Sequence, residues 1–196
     1  MVLTRDQTEE DFMKRYSHIQ LQGFTLIELT ITTIIIFLII NLGASNFDSM
    51  LERSKAQNGL SILRQQVNAA RQYAISNSNF AVLCPSLNQK DCINNWKASK
   101  ILFLDTNNNK KRDNNEVILR QFEAIIDKEV LIKYPKTQIR FNQQGIANFY
   151  NGTLSYCLND IVKGLVISRL GRIRLAQDLN GDNIPDININ SPVKCK

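Results

Sequence analysis

Residues 23–44 read GFTLIELTITTIIIFLIINLGA, an apolar run that contains a single carboxylate, Glu28. The run is long enough to cross a bilayer as a helix, which takes ~20 apolar residues. A carboxylate in such a segment costs roughly 2.5–3.5 kcal/mol at the helix centre and less toward the ends. Residues of this kind are usually functional, so Glu28 is expected to have a partner that neutralises it.

The sequence around Glu28 indicates what that partner is. Lys14 and Arg15 lie close to the apolar run. With the segment Gly23–Glu28 they resemble a class III prepilin leader, which a dedicated peptidase removes after the glycine. The resemblance implies that Phe24 becomes the methylated N-terminus and that Glu28 becomes the fifth mature residue. In type IV pilins and type II secretion pseudopilins this carboxylate pairs with the N-terminal amine of a neighbouring subunit, because two buried charges are tolerable when they neutralise each other. A plain signal anchor is the alternative.

The same resemblance divides the chain into three parts. Residues 1–23 are the leader, and residues 24–50 are the transmembrane or filament-core half of an N-terminal helix. Residues 51–196 are a periplasmic pilin domain that includes the amphipathic half of that helix. The implied location is the bacterial inner membrane, crossed once, and later the pilus or cell surface. The implied partners are the prepilin peptidase, the inner membrane and the other pilins of a filament.

Beyond residue 44 the period of the apolar residues predicts the fold. They recur at steps of mostly three and four, which predicts that the helix continues to about residue 76. This stripe contains Phe47, Met50, Leu51, Leu60, Leu63, Val67, Ala70 and Ala74. From residue 80 the period is that of strands separated by Asn- and Gly-rich turns. The predicted strands cover residues 80–84, 100–104, 116–120, 128–133, 138–141, 152–157, 164–168 and 171–175. A helix followed by a run of strands predicts an α+β fold, with the long helix packed on antiparallel sheets.

Composition excludes several classes of function. The chain has 24 basic and 18 acidic residues, a net charge of +6. A basic domain favours polyanionic partners, although a charge of this size also serves solubility. The one histidine, His18, lies in the leader. The mature chain therefore lacks the general base of Ser-His and Cys-His catalysis and the commonest transition-metal ligand. The sequence predicts neither an enzyme nor a cofactor.

Four cysteines, Cys84, Cys92, Cys157 and Cys195, follow the apolar run. An even number of cysteines in an oxidising compartment predicts two disulfides. Three pairings are possible. The favoured one joins Cys84 to Cys92 across a short loop and Cys157 to Cys195, which would fasten the C-terminal tail.

Short motifs are spread along the strand-rich part. They are Cys84-Pro85-Ser86, Cys92, Trp96, Phe103-Leu104-Asp105-Thr106-Asn107, Gly145 and Gly171-Arg172-Ile173-Arg174. With the N-terminal signature they resemble the FimT/GspH group of minor pilins and pseudopilins, which implies a type IV pilin-like fold. In FimT-type minor pilins the GRxR motif is associated with DNA binding during uptake for natural transformation. The resemblance therefore implies that Arg172 and Arg174 bind double-stranded DNA, with Gly171 as the backbone element.

The spacing of the two arginines supports the same site. Side chains at i and i+2 of a strand share a face, so Arg172 and Arg174 are predicted to project together, and Gly171 permits a tight turn before them. Paired guanidinium groups suit bidentate contact with phosphate. The cations expected to extend this patch are Arg169, Lys163, Lys194 and Lys196. The alternative is a solvated strand face in a pilus-priming minor pilin or a type II secretion pseudopilin that does not bind DNA.

Two Asp- and Asn-rich segments carry oxygen ligands at alternate positions. The first runs from Asp105 to Glu116 with EF-hand spacing, but Lys110 stands where the EF-hand has glycine. That segment is interpreted as a turn. No metal site is assigned, and the weak calcium candidates are Asp178, Asn180, Asp182 and Asp186. The alternative for this second segment is an Asx-rich turn that holds the tail.

Overall fold

The computed structural model describes residues 23–195, apart from the side chains of residues 41–46. The leader with Lys14, Arg15 and His18, together with Lys196, lies outside the described residues. The chain forms two compact units, one up to Phe47 and one from Asp48 onward. The first helix, α1, spans Leu26–Ser76 and ends where the sequence predicted.

In the first unit α1 exposes a run of apolar side chains. Seven consecutive residues, from Ile34 to Ile40, are apolar and each at least 50% exposed. The threonine hydroxyls donate to carbonyls one turn earlier, as Thr30 does to the Ile27 oxygen at 2.8 Å. Over the described residues, none of the helices meets the combination of length and apolarity that a membrane crossing requires.

In the second unit α1 buries one stripe against the sheets. The buried positions recur at steps of three and four and are Ala56, Leu60, Leu63, Val67, Ala70 and Ala74. This confirms the predicted stripe from Leu60 onward. Met50 and Leu51 are exposed, because the core formed by the described residues begins only at Ala56. Gly59 lets Tyr156 approach the helix, since a Cβ at residue 59 would lie 2.4 Å from the Tyr156 hydroxyl oxygen.

The strands follow in chain order. They are β1 (Phe80–Pro85), β2 (Lys100–Asp105), β3 (Ile118–Phe122), β4 (Val130–Lys133), β5 (Ile139–Phe141), β6 (Gly152–Leu158), β7 (Ile161–Ile167), β8 (Ile173–Leu175), β9 (Asp186–Asn188) and β10 (Ser191–Pro192). A 3-10 helix, Asn148–Tyr150, precedes β6. One sheet has the order β3-β2-β1-β5, the other has the order β4-β6-β7-β8, and β9 and β10 form a hairpin. All pairings are antiparallel, which confirms the predicted α+β class.

The structure moves four strand starts by two residues or more from the sequence prediction. β3 and β4 begin at Ile118 and Val130, each two residues late, and β7 begins at Ile161, three residues early. β8 begins at Ile173, so Gly171 and Arg172 precede the strand. Residues 186–192 also form a hairpin that the sequence did not predict.

One buried cluster joins α1 to both four-stranded sheets. Trp96 is 1% exposed within it, and its Nε1 donates to the Lys136 oxygen at 2.9 Å. Both favoured disulfides, Cys84–Cys92 and Cys157–Cys195, are present and confirm the predicted pairing.

The C-terminal tail covers the outer face of the second sheet. A Cβ at Gly164 in β7 would lie 2.7 Å from Cγ2 of Val193, so the tail runs directly over this strand. The Val193 N–H donates to the Pro185 oxygen at 2.8 Å, and the Cys157–Cys195 disulfide fastens the end of the tail to β6. The C-terminal tail therefore covers the outer face of β7, the strand that pairs with β8.

Candidate nucleic-acid interface

The connection between β7 and β8 is a tight turn with arginines at its tip. The Gly171 N–H donates to the Ser168 oxygen at 2.9 Å, and the Ser168 N–H donates to the Arg172 oxygen at 2.9 Å. The Arg172 N–H donates to Oγ of Ser168 at 3.0 Å. Gly171 has φ +81°, which suits a glycine that closes a hairpin turn. Arg169, Leu170 and Arg172 are all exposed. We call residues 168–172 the basic turn.

A second loop holds the basic turn against α1. A Cβ at Gly171 would lie 1.8 Å from the Gly145 carbonyl oxygen, so only glycine permits this approach. Nε of Arg71 donates to the same carbonyl at 3.1 Å. The guanidinium group of Arg71 therefore lies beside the basic turn, although it comes from a helix about 100 residues earlier in the chain.

The structure places Arg172 and Arg174 in different surroundings. Arg172 lies in the turn and is exposed, whereas Arg174 lies in β8 and is half-buried. The Nη2 atom of Arg174 donates to the carbonyl oxygen of Ile187 in β9. Ile173 and Leu175 pack against the core as expected. Arg174 thus contacts the C-terminal hairpin, and the strand alternation that predicted a shared face does not extend to Arg172, which precedes β8.

The predicted additional cations are distributed unevenly. Arg169 belongs to the basic turn. Lys163 pairs with Tyr156, a core residue, in the register of β6 and β7, so it lies on the face opposite Arg174. The earlier start of β7 explains this, because it places Lys163 inside the strand. Lys194 is exposed in the tail, and Lys196 lies outside the described residues.

The charges of the basic turn are available to a partner. Among the described residues only Arg140 and Asp105 form a salt bridge, so Arg169 and Arg172 have no carboxylate partner. The Arg169 oxygen accepts the Ala147 and Asn148 N–H groups at 3.1 and 2.9 Å. This places the 3-10 helix, with its 77% exposed Phe149, beside the turn. Arg169, Arg172 and Phe149 are therefore exposed on neighbouring segments.

The acidic candidates lie in a loop of their own between β8 and β9. The Asp178 carboxylate accepts the Gly181 N–H at 2.7 Å and the Asn183 N–H at 2.9 Å. Backbone N–H groups, that of Gly181 foremost, hold the pKa of the Asp178 carboxyl below its usual value. Within the described part of the chain, no group of three His, Cys, Asp or Glu side chains has the arrangement of a metal site. In the other segment Asp105 accepts Arg140 and the Lys110 N–H, as expected for a turn.

Comparison with known families identifies the class of protein. A sequence model of the family described as type II transport protein GspH matches residues 62–171, more than half of the chain. The chain belongs to the GspH family. It is a minor pilin or pseudopilin of the GspH class, a class of structural proteins of pilin-type filaments.

Two solved structures are similar to the chain, and both are of the type IV minor pilin FimU of Pseudomonas aeruginosa strain PAO1. The crystal form in space group P21 has 19% identity and a TM-score of 0.49, and it covers 64% of this chain and 91% of that one. The form in space group P65 has 18% identity and a TM-score of 0.45, and it covers 62% and 92%. A search of curated protein sequences finds no match.

The GspH match ends at Gly171, so Arg172, Arg174 and the tail follow it. Two residues of the interface were not found from the sequence. Arg71 lies on α1 about 100 residues before the turn, and only its contact with the Gly145 carbonyl oxygen places it at this site. Phe149 had no signal beyond its place in a short apolar cluster next to a glycine turn.

Proposed function

We propose that this GspH-class protein is a minor pilin of a type IV pilus and that its basic turn binds double-stranded DNA for uptake in natural transformation. The observation that carries the proposal is the exposure of Arg169 and Arg172 at the tip of a hydrogen-bonded turn, where neither has a carboxylate partner among the described residues. Arginine forks match phosphate oxygens in bidentate geometry. The site offers no base-reading element, so binding is expected to be independent of sequence.

Arg174 has a positioning role in this proposal. Its bond to the Ile187 oxygen holds the C-terminal hairpin next to the basic turn. Arg169 and Arg172 then make the phosphate contacts, and Arg71 adds positive charge at the base of the turn. This assignment differs from the sequence prediction, in which Arg172 and Arg174 made the contacts together.

The first direct test is DNA titration of the full chain in mild detergent, read by fluorescence anisotropy of a labelled duplex. Arg172→Ala is expected to weaken binding several-fold, because it removes one phosphate contact. Lys128→Ala is the matched control. This exposed lysine precedes β4 at the opposite end of the second sheet, and its removal is expected to leave the affinity unchanged. An equal loss in both variants would assign the binding to net charge alone.

The alternative function is a pilus-priming minor pilin or a type II secretion pseudopilin without a DNA contact. This alternative predicts that the wild-type chain fails to bind duplex DNA even at low salt. The basic turn would then be a solvated surface, and Arg174 would keep its role in holding the tail.

The proposal includes filament assembly through the N-terminal helix. Cleavage after Gly23 would free the amine of Phe24, and Glu28 would pair with that amine in a neighbouring subunit. The all-round apolar surface of residues 34–40 supports burial in a membrane and then in a filament core, since the first unit leaves these side chains exposed.

Loss of the Glu28 carboxylate is expected to prevent incorporation. Glu28→Ala removes the partner of the amine and leaves a buried positive charge uncompensated, which is strongly destabilising. The measurement is the amount of the subunit in sheared filaments, compared with Asp48→Ala, which removes an exposed carboxylate elsewhere on α1. Normal incorporation of Glu28→Ala would contradict the pairing role.

A further inference from the structure

The loop between β8 and β9 places oxygen ligands at every second position. Counted from Asp178, side-chain oxygens stand at positions one, three, five and nine, and position seven supplies the backbone carbonyl of Ile184. The side chains are those of Asp178, Asn180, Asp182 and Asp186. This is the order in which the first nine positions of an EF-hand loop present oxygen ligands to calcium.

The last of these side chains is buried and incompletely satisfied. Asp186 is 0% exposed. Its Oδ2 accepts the Leu179 N–H at 3.0 Å, which directs the carboxylate into the loop. Its Oδ1 is enclosed and has no hydrogen-bond partner among the described residues. Buried carboxylate oxygens are normally paired with a donor or a cation, so Oδ1 of Asp186 is a candidate ligand for a cation.

A second loop of the same chain provides an internal comparison. The segment from Asp105 to Asp113 has the same spacing of oxygen ligands. Both loops have positive φ at positions four and six. The angles are 62° at Asn108 and 68° at Lys110 in the loop 105–113, and 85° at Gly181 and 64° at Asn183 in the loop 178–186. In the first loop Nη2 of Arg140 lies 2.8 Å from Oδ2 of Asp105. A built-in guanidinium group therefore neutralises that loop.

The loop 178–186 has no such cation. Its three carboxylates take part in no salt bridge among the described residues. Asp178 and Asp182 accept hydrogen bonds from backbone N–H groups of the loop itself. Oδ2 of Asp182 also accepts a hydrogen bond from Nδ2 of Asn180 at 3.1 Å. Rotation of the Asn180 amide would replace this donor with an oxygen.

We propose that the loop 178–186 binds a calcium ion through Asp178, Asn180, Asp182, Asp186 and the Ile184 carbonyl. The ligands are all oxygens and would be five in number, mostly side chains, which suits calcium better than magnesium, since magnesium keeps several waters and is seldom held by an all-protein cage. Sites of this kind in extracellular modules bind with dissociation constants of about 10⁻⁴ to 10⁻³ M. The ion fixes Asp186 at the start of β9, next to Ile187, whose carbonyl accepts Arg174.

The test is thermal unfolding of the full chain in detergent, with EGTA and then with increasing calcium. At concentrations about tenfold above the dissociation constant, calcium is expected to raise Tm by about 3–6 °C, since it binds only the folded loop. Magnesium at the same concentration is expected to raise Tm less. Equilibrium dialysis with radioactive calcium gives the stoichiometry, which is expected to be one ion per chain.

Substitutions separate this site from the other loop. Asp182→Ala removes the oxygen ligand of an exposed residue and is expected to abolish the calcium-dependent rise in Tm. Asp186→Ala should do the same, but Asp186 is buried and its loss also impairs folding, so the exposed variant is decisive. Asp113→Ala, at position nine of the loop that contains Asp105, should keep the full rise. An unchanged Tm in the wild type, or a full rise in Asp182→Ala, would overturn the proposal.

Discussion

Replacement of Gly171 by alanine is expected to lower the free energy of unfolding by about 2–6 kcal/mol. Two costs contribute. A non-glycine residue at φ +81° costs about 1–3 kcal/mol. The new Cβ would also lie 1.8 Å from the Gly145 oxygen, and relieving such overpacking typically costs about 1–3 kcal/mol. The measurement is denaturant unfolding of the full chain in detergent, followed by near-UV circular dichroism.

Gly181→Ala separates the two costs. Gly181 has φ +85°, but a Cβ there would meet no atom within 4 Å. Measured in EGTA, this control should show only the backbone cost, so Gly171→Ala should destabilise more. Of the two variants, only Gly171→Ala should lower the affinity for DNA, because the new Cβ pushes the basic turn away from Gly145 and moves Arg172 with it. Equal destabilisation by the two substitutions would mean that the basic turn is not held by this contact.

Removal of the Cys157–Cys195 disulfide is expected to have the second large effect. This disulfide spans 38 residues, so the loss of its constraint on the unfolded chain amounts to about 4 kcal/mol. The double substitution Cys157→Ser with Cys195→Ser should therefore lower the free energy of unfolding by about that amount. It should also free the tail that runs over Gly164, which limited proteolysis would detect as faster cleavage after Lys194.

The other disulfide is the matched control. Cys84 and Cys92 are only 8 residues apart, and the same relation gives about 2.5 kcal/mol. Serine substitution of this pair should cost less and leave cleavage of the tail unchanged. A larger loss from Cys84 and Cys92 would show that the tail is held by its packing on β7 instead of by the covalent bond.

Local sequence signals predicted most of the fold. The step of three and four from Leu60 to Ala74 located the buried face of α1, and the run from Phe80 to Cys84 located β1. These elements have strong periodicity and clear turn residues at their ends. The hairpin at residues 186–192 was missed because it is short, rich in asparagine and stabilised by distant groups such as Arg174.

The candidate site was predicted only in part for the same reason. Arg172 was predicted from the sequence as a phosphate ligand, and its position depends on where β8 begins. That point is set by the approach of Gly145 to Gly171, a contact between distant segments. Arg71 likewise joins the site through a tertiary contact. Spacing alone could not distinguish an exposed arginine from Arg174, which is committed to a backbone carbonyl.

The central claim is that the exposed arginines of the basic turn neutralise DNA phosphates. Its most direct test is the salt dependence of duplex binding by the full chain, compared with Arg169→Ala/Arg172→Ala. We expect the slope of log affinity against log salt to become less negative by about 1.8, at about 0.9 per phosphate contact. Lys128→Ala should keep the wild-type slope. Absence of wild-type binding at low salt, or an unchanged slope in the double variant, would contradict the claim.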